Sequence, residues 1–225
     1  MTTVLRATPT ISTSPLTKRF DGGMNVLDGA ELTATGGHLT LIVGTPGSGR
    51  TTLARCLTGV YRPDTGDVTL RLGGRGEVDL TDADPRTVAW LRTQHIATFD
   101  GPLAAAPILT AEAAVARAAG RTHVASAAGL ARLGAATLAR TPLGRLRAAE
   151  RHTVALAATM LAERPVIVLD EPEEYGPPEA LAGWLQQATA GGAAVVVTAA
   201  TDSSLASIAT AVGELRKGEI VWHTA

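Results

Sequence analysis

Three short runs of unbroken apolar residues stand out along the chain: LTLIVG (39–44), VIVLDEP (166–172) and AVVVTAA (194–200). Each is β-branched and ends on small or acidic residues. Apolarity without alternation is the pattern of a strand buried on both faces, as in a parallel sheet covered by helices. The first run leads into a Gly-rich loop, and GRTTLARCLTG then predicts a helix closed by Gly59. In YRPDTGDVTLRL, the residues Pro63-Asp64-Thr65-Gly66 predict a turn and 67–72 a strand. LGGRGEVDL predicts a second turn and strand, so two antiparallel strands form a side sheet beside the parallel pattern.

Between about residues 104 and 161 the chain turns to alanine and arginine. There TAEAAVARAAG predicts a helix with Thr110 as N-cap and Gly120 at its close. This stretch is a helical subdomain inserted between two strand-rich halves. No internal repeat is present.

Composition narrows the function more than the fold. The chain has 225 residues, enough for one α/β domain with a sizeable core. Its formal net charge of −1 gives no electrostatic reason to expect nucleic acid as a partner. With 45% hydrophobic and 18% charged residues, extensive disorder is not expected. Aromatics are only 3%, so the core is expected to rest on Ala, Val and Leu. The single cysteine, Cys56, rules out an intrachain disulfide, fits a reducing compartment, and is expected to serve packing. The Thr/Ser/Pro-rich start has no apolar segment of a secretory signal, and residues 1–15 are expected to be flexible. No run approaches the roughly 18 apolar residues of a membrane helix. A cytoplasmic location is expected, or a peripheral one at the inner membrane through a partner.

The candidate chemistry begins at GTPGSGRT, from Gly44 to Thr51. The glycines Gly44, Gly47 and Gly49 allow backbone N–H groups to converge on phosphate oxygens, and the following helix adds its positive end. Thr45, Pro46 and Ser48 complete the loop. Thr51 is placed to set a hydroxyl on Mg²⁺, and Thr52 adds a second hydroxyl. Arg50 stands where the loop pattern has lysine; it keeps the charge but is longer, planar and forked. At the end of VIVLDEP, Asp170 is placed to hold Mg²⁺ and Glu171 to polarise an attacking water. The predicted fold class is therefore α/β: a P-loop NTPase-type parallel sheet core, an antiparallel side sheet and an inserted helical subdomain.

The phosphate loop, the long helical insertion and a strand ending Leu169-Asp170-Glu171-Pro172 together resemble the ATP-binding cassette (ABC) ATPases. The resemblance extends over nearly all of the chain from about Val26. It implies that residues 16–225 form one cassette domain, with ATP and Mg²⁺ as ligands. It also implies a homo- or heterodimer with another cassette, and a membrane permease or a soluble enzyme complex as further partner. The stretch from Tyr61 to Thr93 is similar to one subgroup, the L subunit of the phosphonate carbon–phosphorus lyase system. By the same resemblance Phe20 is either an adenine-stacking aromatic or a hydrophobic anchor.

Other family positions depart. No glutamine stands near Asp100–Gly101, and Gln94 is too early. The signature segment falls on LRAAE (146–150), without its serine and glycines. Arg147 there either offers charge to a phosphate or belongs to a solvated basic face with Arg145 and Arg151. EEYGPP replaces the usual segment after Asp-Glu-Pro, and Thr201 stands where the family has a switch histidine. None of the five histidines, His38, His95, His123, His152 and His223, has a ligand spacing. The joint departures imply a subunit that binds Mg-ATP with weak or no independent hydrolysis; an active ATPase subunit is the alternative.

Overall fold

The computed structural model describes residues 8–20 and 23–223. The chain lays down β1 (Pro9–Thr13), β2 (Leu16–Arg19), β3 (Asn25–Ala30), β4 (Thr33–Thr35), β5 (Leu39–Val43) and α1 (Arg50–Leu57). It continues through β6 (Val68–Leu72), β7 (Glu77–Asp79), α2 (Pro85–Gln94) and β8 (Ile96–Phe99). Helices α3 (Ala111–Ala119), α4 (His123–Arg132) and α5 (Ala148–Leu161) follow. The last part is β9 (Val166–Asp170), α6 (Pro178–Ala190), β10 (Ala194–Ala199), β11 (Ala211–Arg216) and β12 (Glu219–Trp222).

The main sheet has the order β12-β11-β5-β10-β9-β8. All neighbours are parallel except β11 and β12. The three apolar runs are its central strands, and both of their faces are buried. Leu41, Ile167, Leu169, Val195 and Val197 face a core shared with α3, α4, α5 and α6. Their neighbours Ile42, Val166, Val168 and Val196 face a second core shared with α1 and the side sheet. A strand with two cores cannot alternate apolar and polar residues, which is why these runs are unbroken.

The side sheet has four strands, β4-β1-β6-β7, where two were expected. The N-terminal expectation needs correction. Residues 1–7 lie outside the described residues, but the stretch expected to be flexible becomes strand at Pro9. Strand β1 is central in its sheet, paired antiparallel with β4 and β6. Ile11 is fully buried, and the Thr13 hydroxyl donates to Ala30 O (3.3 Å) and accepts from Leu32 N–H (3.0 Å). The Thr/Ser content that suggested fraying supplies the polar face of a strand instead.

The helical ends follow the predicted chemistry. Helix α1 closes through Gly59 N–H to Cys56 O (3.0 Å) and Val60 N–H to Arg55 O (2.9 Å). Thr110 caps α3 by accepting from Ala113 N–H (3.4 Å), and Gly120 closes it at φ 67°. Asp84 caps α2 ahead of Pro85, accepting from Arg86 N–H (2.9 Å).

Two predictions follow from the packing. Gly66 turns the chain into β6 at φ 83°, and a Cβ there would lie 2.4 Å from Pro15 O. Gly66→Ala is expected to destabilise the fold by about 1–3 kcal/mol, because it combines a left-handed backbone with a backbone clash; a thermal melt equal to wild type would refute this. Burial pushes the Cys56 thiol up to about 12. Native protein at pH 8 should therefore resist a disulfide reagent and react fully only after denaturation; fast labelling of the native state would place Cys56 outside the core.

Candidate functional site

The site forms where β5, β9 and β10 end together. Parallel register sets Thr198 beside Ile42 on one side and beside Asp170 on the other. The residues that follow those strand ends must meet at one edge of the sheet, the place where open α/β sheets bind ligands.

From β5 the chain enters the phosphate loop. Gly44 N–H donates to Ala199 O (3.2 Å), and Ser48 N–H to Thr45 O (3.1 Å). Thr45, Pro46 and Gly47 lie exposed on the rim. Gly49 precedes α1 at φ 104°, and a Cβ there would stand 2.8 Å from Val26 O, so only glycine fits. No side chain caps α1. The Ser48 hydroxyl is buried with no hydrogen-bond partner. An uncapped helix start and an orphaned hydroxyl in a glycine loop fit a polyphosphate ligand.

The acidic wall comes from β9. Asp170 Oδ1 accepts from the Thr198 hydroxyl at 2.5 Å. Glu171 adopts the left-handed conformation at φ 48°, and its N–H donates to Thr198 O (3.0 Å). Glu171 is partly exposed, while Arg50 is 7% exposed. The Arg50 guanidinium reaches the backbone at two strand ends and the acidic wall. Its Nη1 donates to Gly44 O and Ala199 O, and its Nη2 pairs with Glu171 Oε1. Burial pushes the Glu171 carboxyl up; the Arg50 charge opposes this, and Asp170 and Glu174 push the same way as burial.

Loop, helix start and acidic wall enclose a cleft of about 650 Å³. Pro46, Gly47, Gly49, Arg50, Thr51, Thr52 and Glu171 line it, with Phe20 at its edge. Gly44, Thr45, Ser48 and Asp170 are not among its lining residues. Phe20 is 44% exposed and packs edge-on against Tyr61, with ring centroids 5.4 Å apart. Asp64 holds the strand before it, accepting from Arg19 N–H (2.6 Å) and Lys18 Nζ (3.2 Å). Among the described residues no group of His, Cys, Asp and Glu is arranged to hold a metal unaided. A Mg²⁺ held by one carboxylate and one hydroxyl would take its remaining ligands from phosphates and water.

Several contributors were not anticipated. Thr198, a hydroxyl inside an apolar strand, orients Asp170; that lone polar residue in AVVVTAA was the available signal. Val26, Glu173, Glu174, Ala199 and Ala200 also line the cleft. Glu173 accepts from the hydroxyls of Ser203 (2.5 Å) and Ser204 (2.8 Å), tying the loop after β10 to the acidic turn. Thr201 lies exposed in that loop and does not line the cleft. The segment at 146–150 runs into the start of α5, where Arg147 and the two alanines are exposed and Arg147 N–H donates to Glu150 Oε2 (2.7 Å). His152 on α5 stacks on Tyr175 with ring centroids at 4.5 Å, and Phe99 meets Tyr175 edge-on at 5.6 Å. Thr153 adds a hydrogen bond from its hydroxyl to Tyr175 O (2.9 Å). Gln94 ends α2, ahead of β8.

The chain is similar to known proteins. The ribose import ATP-binding protein RbsA of Jannaschia sp. (strain CCS1) is 33% identical over 182 residues, covering 75% of this chain and 34% of that protein. The tylosin resistance ATP-binding protein TlrC of Streptomyces fradiae is 30% identical over 226 residues, covering 88% of this chain and 41% of that protein. The chain spans about a third of the length of the first curated relatives it matches. Among solved structures, the dimeric bacterial ABC transporter cassette MJ0796 superposes with a TM-score of 0.80 at 20% identity, covering 93% of this chain and 96% of that one. That likeness establishes the cassette fold. Among the described residues no helix is long and apolar enough to cross a membrane. The family model described as ABC transporter matches residues 27–174, more than half of the chain, and with the loop, the acidic strand end and the cassette fold in place, this protein belongs to the ABC transporter family.

Proposed function

We propose that the chain is a nucleotide-binding subunit that holds Mg-ATP in the cleft between the phosphate loop and the acidic strand end, and that it hydrolyses ATP weakly or not at all on its own. The carrying observation is the meeting of the uncapped α1 start, Thr51 and Glu171 in one cleft, with Asp170 ending the strand just before Glu171. In this reading the loop N–H groups and Arg50 take the phosphates. Thr51 and Asp170 hold Mg²⁺, which supplies charge neutralisation for the phosphates when bound. Phe20 stacks the adenine, and Glu171 is the candidate base.

Departures from the family pattern support weak hydrolysis. Thr201 has no imidazole, and a threonine hydroxyl does not titrate near neutral pH as a histidine does. The start of α5 offers alanine Cβ atoms where the family has two glycines, and Arg147 where it has a serine. The subunit then acts within a dimer, paired with itself or with another cassette that supplies the missing signature. A membrane permease is the partner favoured by family membership. The hairpin β6–β7 and the Asp84-Pro85-Arg86 helix start support a second reading, a soluble complex of the phosphonate carbon–phosphorus lyase type. An active ATPase subunit is the competing outcome.

Calorimetry with ATP in the presence of Mg²⁺ or of a chelator tests the binding, and a phosphate-release assay the turnover. Mg²⁺-dependent binding with negligible turnover is expected, and Asp170→Asn should abolish the Mg²⁺ dependence. Thr198→Val should weaken Mg²⁺-dependent binding by about 10–100-fold, the usual effect of removing a ligand's hydrogen-bond partner. Absence of any ATP binding would overturn the proposal. Turnover of about 1–100 s⁻¹, lost in Glu171→Gln, would establish the active alternative.

A further inference from the structure

Arg50 stands where the loop pattern places lysine; it lines the cleft and is nearly buried. Its two arms do different things. Nη1 takes two backbone carbonyls, Gly44 O at the end of β5 and Ala199 O at the end of β10. Nη2 takes the Glu171 carboxylate. A lysine ammonium is a single point charge; a planar fork is what lets one side chain span both strand ends and the carboxylate beyond them. The carboxylate is itself held in place: the Glu171 backbone is left-handed and its N–H is bonded to Thr198 O. Asp170 and Glu174 crowd it with like charge, and Arg50 is the cation that faces it.

We propose that Arg50 is a latch on Glu171: in the ligand-free cleft its guanidinium occupies the candidate base, and Arg50 leaves that carboxylate only when it turns to a triphosphate at the loop. The base is then free only in a loaded cleft, and part of the phosphate affinity is spent in breaking the ion pair. This rests on the nucleotide-binding reading. It differs from that reading in its consequence, because removing the carboxylate should then tighten binding through Arg50 and not merely remove repulsion.

The test is a double-mutant cycle on binding of the β,γ-imido analogue of ATP with Mg²⁺, read by calorimetry. The four proteins are wild type, Glu171→Gln, Arg50→Met and the double variant, with melts to confirm folding. Glu171→Gln is expected to tighten binding by about fivefold or more, the lower end of a typical coupling, and to have almost no effect when Arg50→Met is already present. Equal tightening in both backgrounds would mean simple removal of charge beside the phosphates and would overturn the latch. Unchanged or weaker binding in Glu171→Gln would overturn it as well. If Arg50→Met does not fold, Arg50→Lys replaces it, and the gain from Glu171→Gln must shrink there too. Wild-type binding with an additive cycle sinks the latch alone, whereas no binding by any of the proteins sinks the nucleotide-binding reading with it.

Discussion

A buried guanidinium must be surrounded by oxygen, and that requirement joins three distant pieces of this chain. Leaving Arg50 without partners in the interior would cost several kcal/mol. Its partners come from the ends of β5 and β10 and from the residue after β9. They coincide because parallel register aligns Ile42, Thr198 and Asp170 across the three strands. A shift of one residue in any of these strands would reverse its two apolar faces and scatter the acceptors at once. The cleft and the sheet are thus specified by the same hydrogen-bond ladder.

Two cores clamp the strands that carry this edge. One core gathers α3 to α6 on one face of the sheet, and the other gathers α1 and the side sheet on the opposite face. The loop and the acidic turn project from strands clamped on both sides. The polar ties at this edge, Thr198 to Asp170 and the two serines to Glu173, fix the acids in place without adding positive charge.

Local chemistry was legible from the chain, and distant pairing was not. The apolar runs, the glycine loop and the caps at Thr110, Gly120 and Gly59 depend on neighbours within a few residues, so their patterns can be read directly. Strand β1 escaped notice because its meaning lies in β4 and β6, and its Thr/Ser content reads as loop until those partners are known. The loop sequence identified Arg50 as a cation near phosphate. It could not show where the fork turns, because one acceptor, Ala199 O, lies 149 residues later. Thr198 and the serines at 203 and 204 are ordinary hydroxyls in sequence. They acquire a role only when strand register brings them against the acids.

The stack of His152 on Tyr175, closed by Phe99, has a mechanical meaning. Tyr175 directly follows the short turn Pro172–Glu174, whose acids border the cleft, while His152 belongs to the first turns of the helix that begins at Ala148. The rings and the bond from Thr153 to the Tyr175 carbonyl fasten that turn to the helical subdomain. The exposed start of α5 and the turn that carries Glu173 and Glu174 are therefore fastened to one another. The acidic wall of the cleft is thus tied, one residue away, to a surface that lies outside it.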